Sequence, residues 1–194
     1  YANDYVAINK YCDRVRIMAY DQGAIDVKLN AVQTGPYIPV ADPLWVEKVM
    51  KVAAQTISKN KLSIGVPTYG YEYQITKLAQ GYRYDIEWAL NPGYATGLAA
   101  MLGTSPVRNS AGEISFMYTP TTTPPTNSLV AATIGGEGAV PSASGLPTNI
   151  VWWSDAQAIQ KKIDLAKKLG VRGISIFKID GGEDPMLWDI LPKK

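Results

Sequence analysis

The sequence predicts an α/β fold in which short parallel strands alternate with helical crossovers. Three observations carry that expectation. Apolar residues switch between period two and helical spacing in the order helix, strand, helix, strand, insertion, helix, strand, helix. The longer predicted helices carry the residues that start or stop helices. A Thr-, Pro-, Gly- and Ser-rich interval interrupts the alternation without repeating it, as an insertion does.

Residues 4–11 can form a short helix, and Arg14 to Asp21 is a run rich in β-formers that stops at Gln22-Gly23. Asp42-Pro43 supplies an N-cap and a first-turn proline. Val46, Val49, Met50, Ala53 and Ile57 then recur at helical spacing, a helix of about four turns. Between Lys61 and Tyr69 the residues alternate, with Leu62, Ile64 and Val66 on one face of a second strand. From Gly70 to about Asn149 the pattern degrades into an insertion. Within it Pro92 to Leu102 can be helical, Glu113 to Tyr118 can be a strand, and 120–148 is expected to be a mobile loop. Order returns at Ile150 to Trp153. Ser154 and Gln157 then make a capping box for a helix over 154–169 that Gly170 stops. A third strand follows over 171–180, and Asp184-Pro185 caps a last short helix through Trp188 and Leu191. The expected division is 1–70, an insertion subdomain 71–149, and 150–194.

Composition narrows the chemistry. There is no histidine, which removes Ser-His-Asp triads, Cys-His dyads and imidazole metal sites. The lone Cys12 allows no internal disulfide and reads as a packing residue. No metal and no cofactor are expected. Nineteen basic and seventeen acidic side chains are mixed along the chain, so no basic stripe points to nucleic acid. No apolar run approaches the ~18 residues of a membrane span. The chain opens at Tyr1 rather than methionine, which suggests a piece of a longer protein.

In alternating α/β folds function gathers at the carboxyl ends of the strands. Those ends here carry Tyr20-Asp21, Tyr69-Gly70 and Phe177 to Asp180. Aromatic rings beside carboxylates suit a sugar-sized ligand, because ring faces stack on pyranose C–H surfaces and carboxylates bind hydroxyl or amide protons.

The same residues carry a family resemblance. Met18-Ala19-Tyr20-Asp21 resembles the Met-x-Tyr-Asp signature on the sixth strand of family-18 glycoside hydrolases, the chitinase-like (β/α)8 barrels. Gly65-Val66-Pro67-Thr68-Tyr69-Gly70 is similar to their seventh-strand motif, and Gly173 to Asp180 resembles their eighth strand. The resemblance implies an α/β fold that is the C-terminal part of a (β/α)8 TIM barrel, about strands 6–8, with a small α+β insertion after strand 7. It is nearest the bacterial spore-lysin and germination-protein branch, whose substrates are N-acetylglucosamine bonds of peptidoglycan or chitin. It also implies an extracellular or cell-envelope location.

The family mechanism is substrate-assisted: a glutamic acid protonates the leaving oxygen while the substrate's acetamide attacks the anomeric carbon. Carried over, Tyr20 would donate to the acetamide oxygen, Asp21 would hold a sugar hydroxyl or neighbouring carboxylates, and Met18 would line the barrel on the same strand face as Tyr20. Tyr69 and Phe177 would be substrate-binding residues. Phe177 stands where the family usually has tryptophan, which keeps a stacking face but loses area and an N–H donor. Glu72, Asp85, Glu87 and Trp88 would touch flanking sugars from the rim. The family's Asp-x-x-Asp-x-Asp-x-Glu is not in this sequence. Tyr84-Asp85-Ile86-Glu87-Trp88 is its nearest mimic, displaced into the insertion. The expectation is therefore a chain inactive alone, completed by a missing N-terminal barrel half or by self-association. A carbohydrate-binding, chitinase-like lectin or a structural module is the alternative.

Overall fold

The computed structural model describes residues 3–120 and 147–191. Helix α1 (Tyr5–Tyr11) leads into strand β1 (Val15–Ile17), then the single-turn helix α2 (Gln22–Ile25) and a 3₁₀ turn over Val27–Ala31. Helix α3 (Pro43–Ala53) crosses over to β2 (Leu62–Pro67). After β2 come β3 (Gly70–Lys77), β4 (Tyr82–Leu90), α4 (Pro92–Met101), β5 (Val107–Arg108), β6 (Ile114–Tyr118) and β7 (Thr148–Trp153). Helix α5 (Ala156–Leu169) then crosses to β8 (Gly173–Phe177), and α6 (Leu187–Ile190) closes the described chain.

Two sheets result. One is parallel, in the order β1-β2-β8, and the other is antiparallel, in the order β4-β3-β7-β6-β5. The expected parallel sheet is there, and α3 and α5 are its crossovers. Asp42 caps α3 through Leu44 N at 2.6 Å with Pro43 in the first turn, and Gly170 stops α5 at φ 66°. The capping box does not form. Asp155 caps α5 instead, taking Ala158 N at 2.9 Å, because its carboxylate is also gripped by Arg108 and so is held at the helix start. Asp184 takes Met186 N and Ala156 N, so it braces the start of α5 as well as the turn before α6.

The predicted strands at 14–21 and 171–180 are shorter in the structure. β1 stops because Ala19 N turns back onto Ile17 O at 2.9 Å, and β8 stops at Phe177, whose peptide bond to Lys178 is cis. The long hairpin β3–β4 is legible only in retrospect. Tyr71 to Ile75 and Tyr82 to Trp88 alternate, but aromatic and charged residues dilute the apolar signal. β7 runs across the expected boundary at 149/150 and sits inside the second sheet between β3 and β6. The expected loop 120–148 lies, but for its ends, outside the described residues.

One core serves both sheets. Ile64 and Val66 of the parallel sheet pack with Tyr73, Ile150 and Trp152 of the antiparallel one, and Val46, Met50 and Ile159 close the layer from the helices. Trp152 is 1% exposed. Side chains of alternate parity, Phe116, Val151 and Trp153, face α4 on the far side of the second sheet. Gly70 is the pivot between the sheets. A Cβ there would lie 2.2 Å from Trp152 O, so only glycine lets β3 cross onto β7 directly after β2. Among the described residues no helix is long and apolar enough to cross a membrane.

Candidate functional site

The carboxyl end of the parallel sheet meets β3 and β4 around a cavity of about 730 Å³, lined by Asp21, Tyr69, Tyr71, Trp88, Tyr94 and Phe177 with Lys178 and Asp180 at its rim. Each strand delivers its share because it ends there. Pro67 pairs with Phe177 in the last register of β2 and β8, Thr68 N donates to Phe177 O at 3.0 Å, and Lys178 N donates to Thr68 Oγ1 at 2.9 Å. Thr68 also bonds Lys178 O through its hydroxyl. That clasp fixes the turn that presents Phe177.

Asp21 is the polar centre. Its backbone is left-handed, φ 62° and ψ 28°, a conformation that costs a non-glycine residue about 1 kcal/mol or more and that aspartate tolerates better than most. It precedes α2 yet makes no side-chain cap, since Oδ1 instead accepts from Tyr69 OH at 2.5 Å and Tyr71 OH at 2.8 Å. Burial, and then the Asp21 carboxylate, push the Tyr69 phenol well above its ordinary range, and the same causes push Tyr71 up to about 12. Both phenols therefore stay protonated and act as donors at neutral pH. The second oxygen, Oδ2, has no partner among the described residues and is left to accept from a ligand hydroxyl or amide.

Three half-exposed rings surround that carboxylate: Trp88 at 61%, Tyr94 at 54% and Phe177 at 50% exposed. Phe177 is backed by Tyr20, ring centroids 5.7 Å apart and 8° from parallel, while Tyr69 meets both edge-on. One face of Phe177 is thus pinned and the other is open. Lys178 and Asp180 form an exposed ion pair at 2.7 Å, and Lys178 holds the Asp180 carboxyl below its usual range. Among the described residues no group of three His, Cys, Asp or Glu is placed to hold a metal.

Of the residues expected from the sequence, Asp21, Tyr69, Trp88 and Phe177 line the cavity together. Tyr20 lies beneath it as the backing ring, 9% exposed, its phenol raised by burial and by Asp21. Met18 is 74% exposed, just before the turn in which Ala19 N donates to Ile17 O at 2.9 Å, and is not among the residues lining the cavity. Glu72 is corrected too: it is 2% exposed, away from the rim, accepting from Asn149 Nδ2 at 2.6 Å and from the Tyr118 hydroxyl. Its neighbours on β3 face the other way, so a charge at Glu72 points to α4's side of the sheet. Asp85 pairs with exposed Arg83 at 2.9 Å. The lining residues missed were Tyr71, Tyr94 and Asn91, the last of which caps α4 by accepting from Tyr94 N at 2.8 Å. Tyr71 could have been found from its place directly after the seventh-strand motif, two residues after Tyr69 and just inside β3. Nothing local marks Tyr94.

A chain with these strand-end motifs and this cavity belongs to the glycosyl hydrolases family 18, whose model matches residues 1–182. Two proteins of Bacillus subtilis (strain 168) are similar over nearly all of it. The uncharacterized glycosylase YvbX is 24% identical over 192 residues, 98% of this chain and 44% of that protein. The cortical fragment-lytic enzyme is 29% identical over 191 residues, 98% of this chain and 36% of that protein. Among solved structures, the spore cortex-lytic enzyme SleL of Bacillus megaterium QM B1551 matches with TM-score 0.65 and 26% identity, covering 97% of this chain and 35% of that one. The chain spans less than half the length of the curated relatives it matches. The family expected from the three motifs is the family found.

Proposed function

We propose that this chain is the C-terminal portion of a family-18 barrel domain, with β1, β2 and β8 as its sixth to eighth strands, and that its cavity binds N-acetylglucosamine-containing glycans of chitin or peptidoglycan. The observation that carries the reading is the convergence of Tyr69 and Tyr71 on one oxygen of Asp21 inside a ring-walled cavity. Two protonated phenols keep the carboxylate aimed, and its free oxygen can accept from the acetamide N–H as that group swings to attack the anomeric carbon. Tyr20, which backs Phe177 from beneath and keeps its proton, would be the donor for the acetamide oxygen, as the family resemblance implies. Phe177 floors the central sugar, and Trp88 and Tyr94 stack on a neighbouring one.

Hydrolysis would be retaining and substrate-assisted, and it needs a proton donor. The sequence contains no Asp-x-x-Asp-x-Asp-x-Glu, so the acid must come from a part of the protein outside these 194 residues. By itself the chain is then a glycan binder, which is also what a lectin-like reading requires. The test is a titration of the 194-residue chain with N-acetylglucosamine oligomers, followed by tryptophan fluorescence, beside an assay for released reducing ends. Binding without turnover is expected. Turnover by the pure chain would overturn the missing-acid reading, and absence of binding would overturn the site.

A further inference from the structure

Asp21 sits in a backbone conformation that its own turn does not enforce, so its position depends on what holds that turn. Two phenols hold the side chain. The main chain is held by the segment Pro39 to Asp42: Gln22 N donates to Val40 O at 3.0 Å, Gly23 N to Pro39 O at 2.9 Å, and Asp42 N to Gln22 Oε1 at 3.0 Å. That segment belongs to no sheet. Its inner amides are held instead by one side chain, since Val40 N reaches Glu113 Oε2 at 2.9 Å and Ala41 N reaches Glu113 Oε1 at 3.0 Å. Glu113 is fully buried and comes from the turn between β5 and β6, on the second sheet. Trp152 Nε1 at 2.8 Å and Lys162 Nζ at 3.4 Å complete its contacts.

We infer that Glu113 is a positioning residue for the glycan site, tying the second sheet to the Asp21 turn through Val40, Ala41 and Gln22. The inference rests on the reading that the cavity binds glycan. Lys162 supplies the countercharge and also faces the Asp42 carboxylate, but among the described residues it makes no hydrogen bond to the Pro39–Asp42 segment, so the two halves of the buried pair separate in role. Removing Lys162 costs stability. Removing the carboxylate also lets the segment, and with it Asp21, drift from Tyr69 and Tyr71.

The test compares Glu113→Gln with Lys162→Met, which keeps the aliphatic stem. Each Glu113 oxygen accepts from a backbone amide, so glutamine in either orientation turns an NH2 against Val40 N or Ala41 N. Two readouts are taken on folded protein: affinity for N-acetylglucosamine oligomers and the phenolate absorbance titration. Glu113→Gln is expected to weaken binding about tenfold, the weight of roughly one hydrogen bond. Lys162→Met should lower the melting temperature and leave oligomer affinity unchanged. Because the Glu113 charge also faces the Tyr73 phenol directly, the phenolate titration is read in Gln22→Ala, which keeps that charge and cuts the same chain of contacts beyond the buried pair; it is expected to weaken binding and to bring tyrosine ionisation to lower pH. An unchanged phenolate titration in Gln22→Ala overturns the inference, whatever the glycan does. Failure of the unaltered chain to bind oligomers overturns the glycan reading alone, since the phenolate titration still decides the role of Glu113.

Discussion

Asp21 shows how one residue sets a site by giving up an ordinary role. It stands where a helix cap belongs, but its carboxylate serves two phenols instead, which ties the last residue of the motif Met18-Ala19-Tyr20-Asp21 to Tyr69 and Tyr71 at the entry to the second sheet. Asp21→Ala removes the acceptor and is expected to weaken binding of N-acetylglucosamine oligomers by about ten- to a hundredfold, a charge-assisted hydrogen bond's worth; calorimetric titration checks it. The phenols give a pH prediction. Tyr71 is raised from its ordinary 10.0 to about 12 and Tyr69 is raised further, burial being the largest cause in both. Above pH 10 the unfolded chain sheds these protons while the folded chain keeps them, so their stabilisation is complete below pH 10 and is lost as pH rises through 12. The urea midpoint should fall across that window, and a flat midpoint would refute the burial argument. Phe177→Trp restores the ring usual in the family. It should tighten oligomer binding by about two- to tenfold through added stacking area, provided the ring keeps its place against Tyr20.

At the scale of elements, signals confined to a few residues survived and signals shared between neighbours did not. Asp42-Pro43 and Gly170 were readable because a cap depends on one side chain and the adjacent amides. The start of α5 was misread because Ser154 and Asp155 are both good caps, and the choice was made by Arg108, forty-seven residues away. Among the described residues Ser154 Oγ has no partner. Two substitutions separate the readings. Asp155→Ala should cost about 1–2 kcal/mol for the lost cap, with more from the released Arg108, while Ser154→Ala should stay within about 0.5 kcal/mol; denaturant unfolding of both measures it. Gly70→Ala belongs here as well. Its Cβ would strike backbone on β7, which cannot give as a side-chain tip can, so poor expression or a marked loss of melting temperature is expected.

For the whole molecule, the shared core decides how the chain behaves. Residues of both sheets and of α3 and α5 form one buried cluster, with Trp152 packing inside it and donating to Glu113. The two sheets should therefore unfold in a single transition, with tryptophan fluorescence and far-ultraviolet dichroism coinciding. Trp152→Ala should lower the stability seen by both probes equally, by about 3–5 kcal/mol. Two separate transitions would show that the insertion folds alone.

By itself the sequence determined the parallel αβ units, the start of α3 and the stop of α5, the family, and four of the residues that line the cavity. These follow from periodicity and from short motifs, which are properties of neighbours along the chain. Tertiary structure alone decided that β7 belongs to the second sheet, that Glu72 turns inward, and that Tyr71 joins Tyr69 on Asp21. It alone also brought Glu113, Lys162 and Val40 together in the interior. A charge is exposed or buried according to what packs on its strand face, and that is set by residues tens of positions away, which no local pattern encodes.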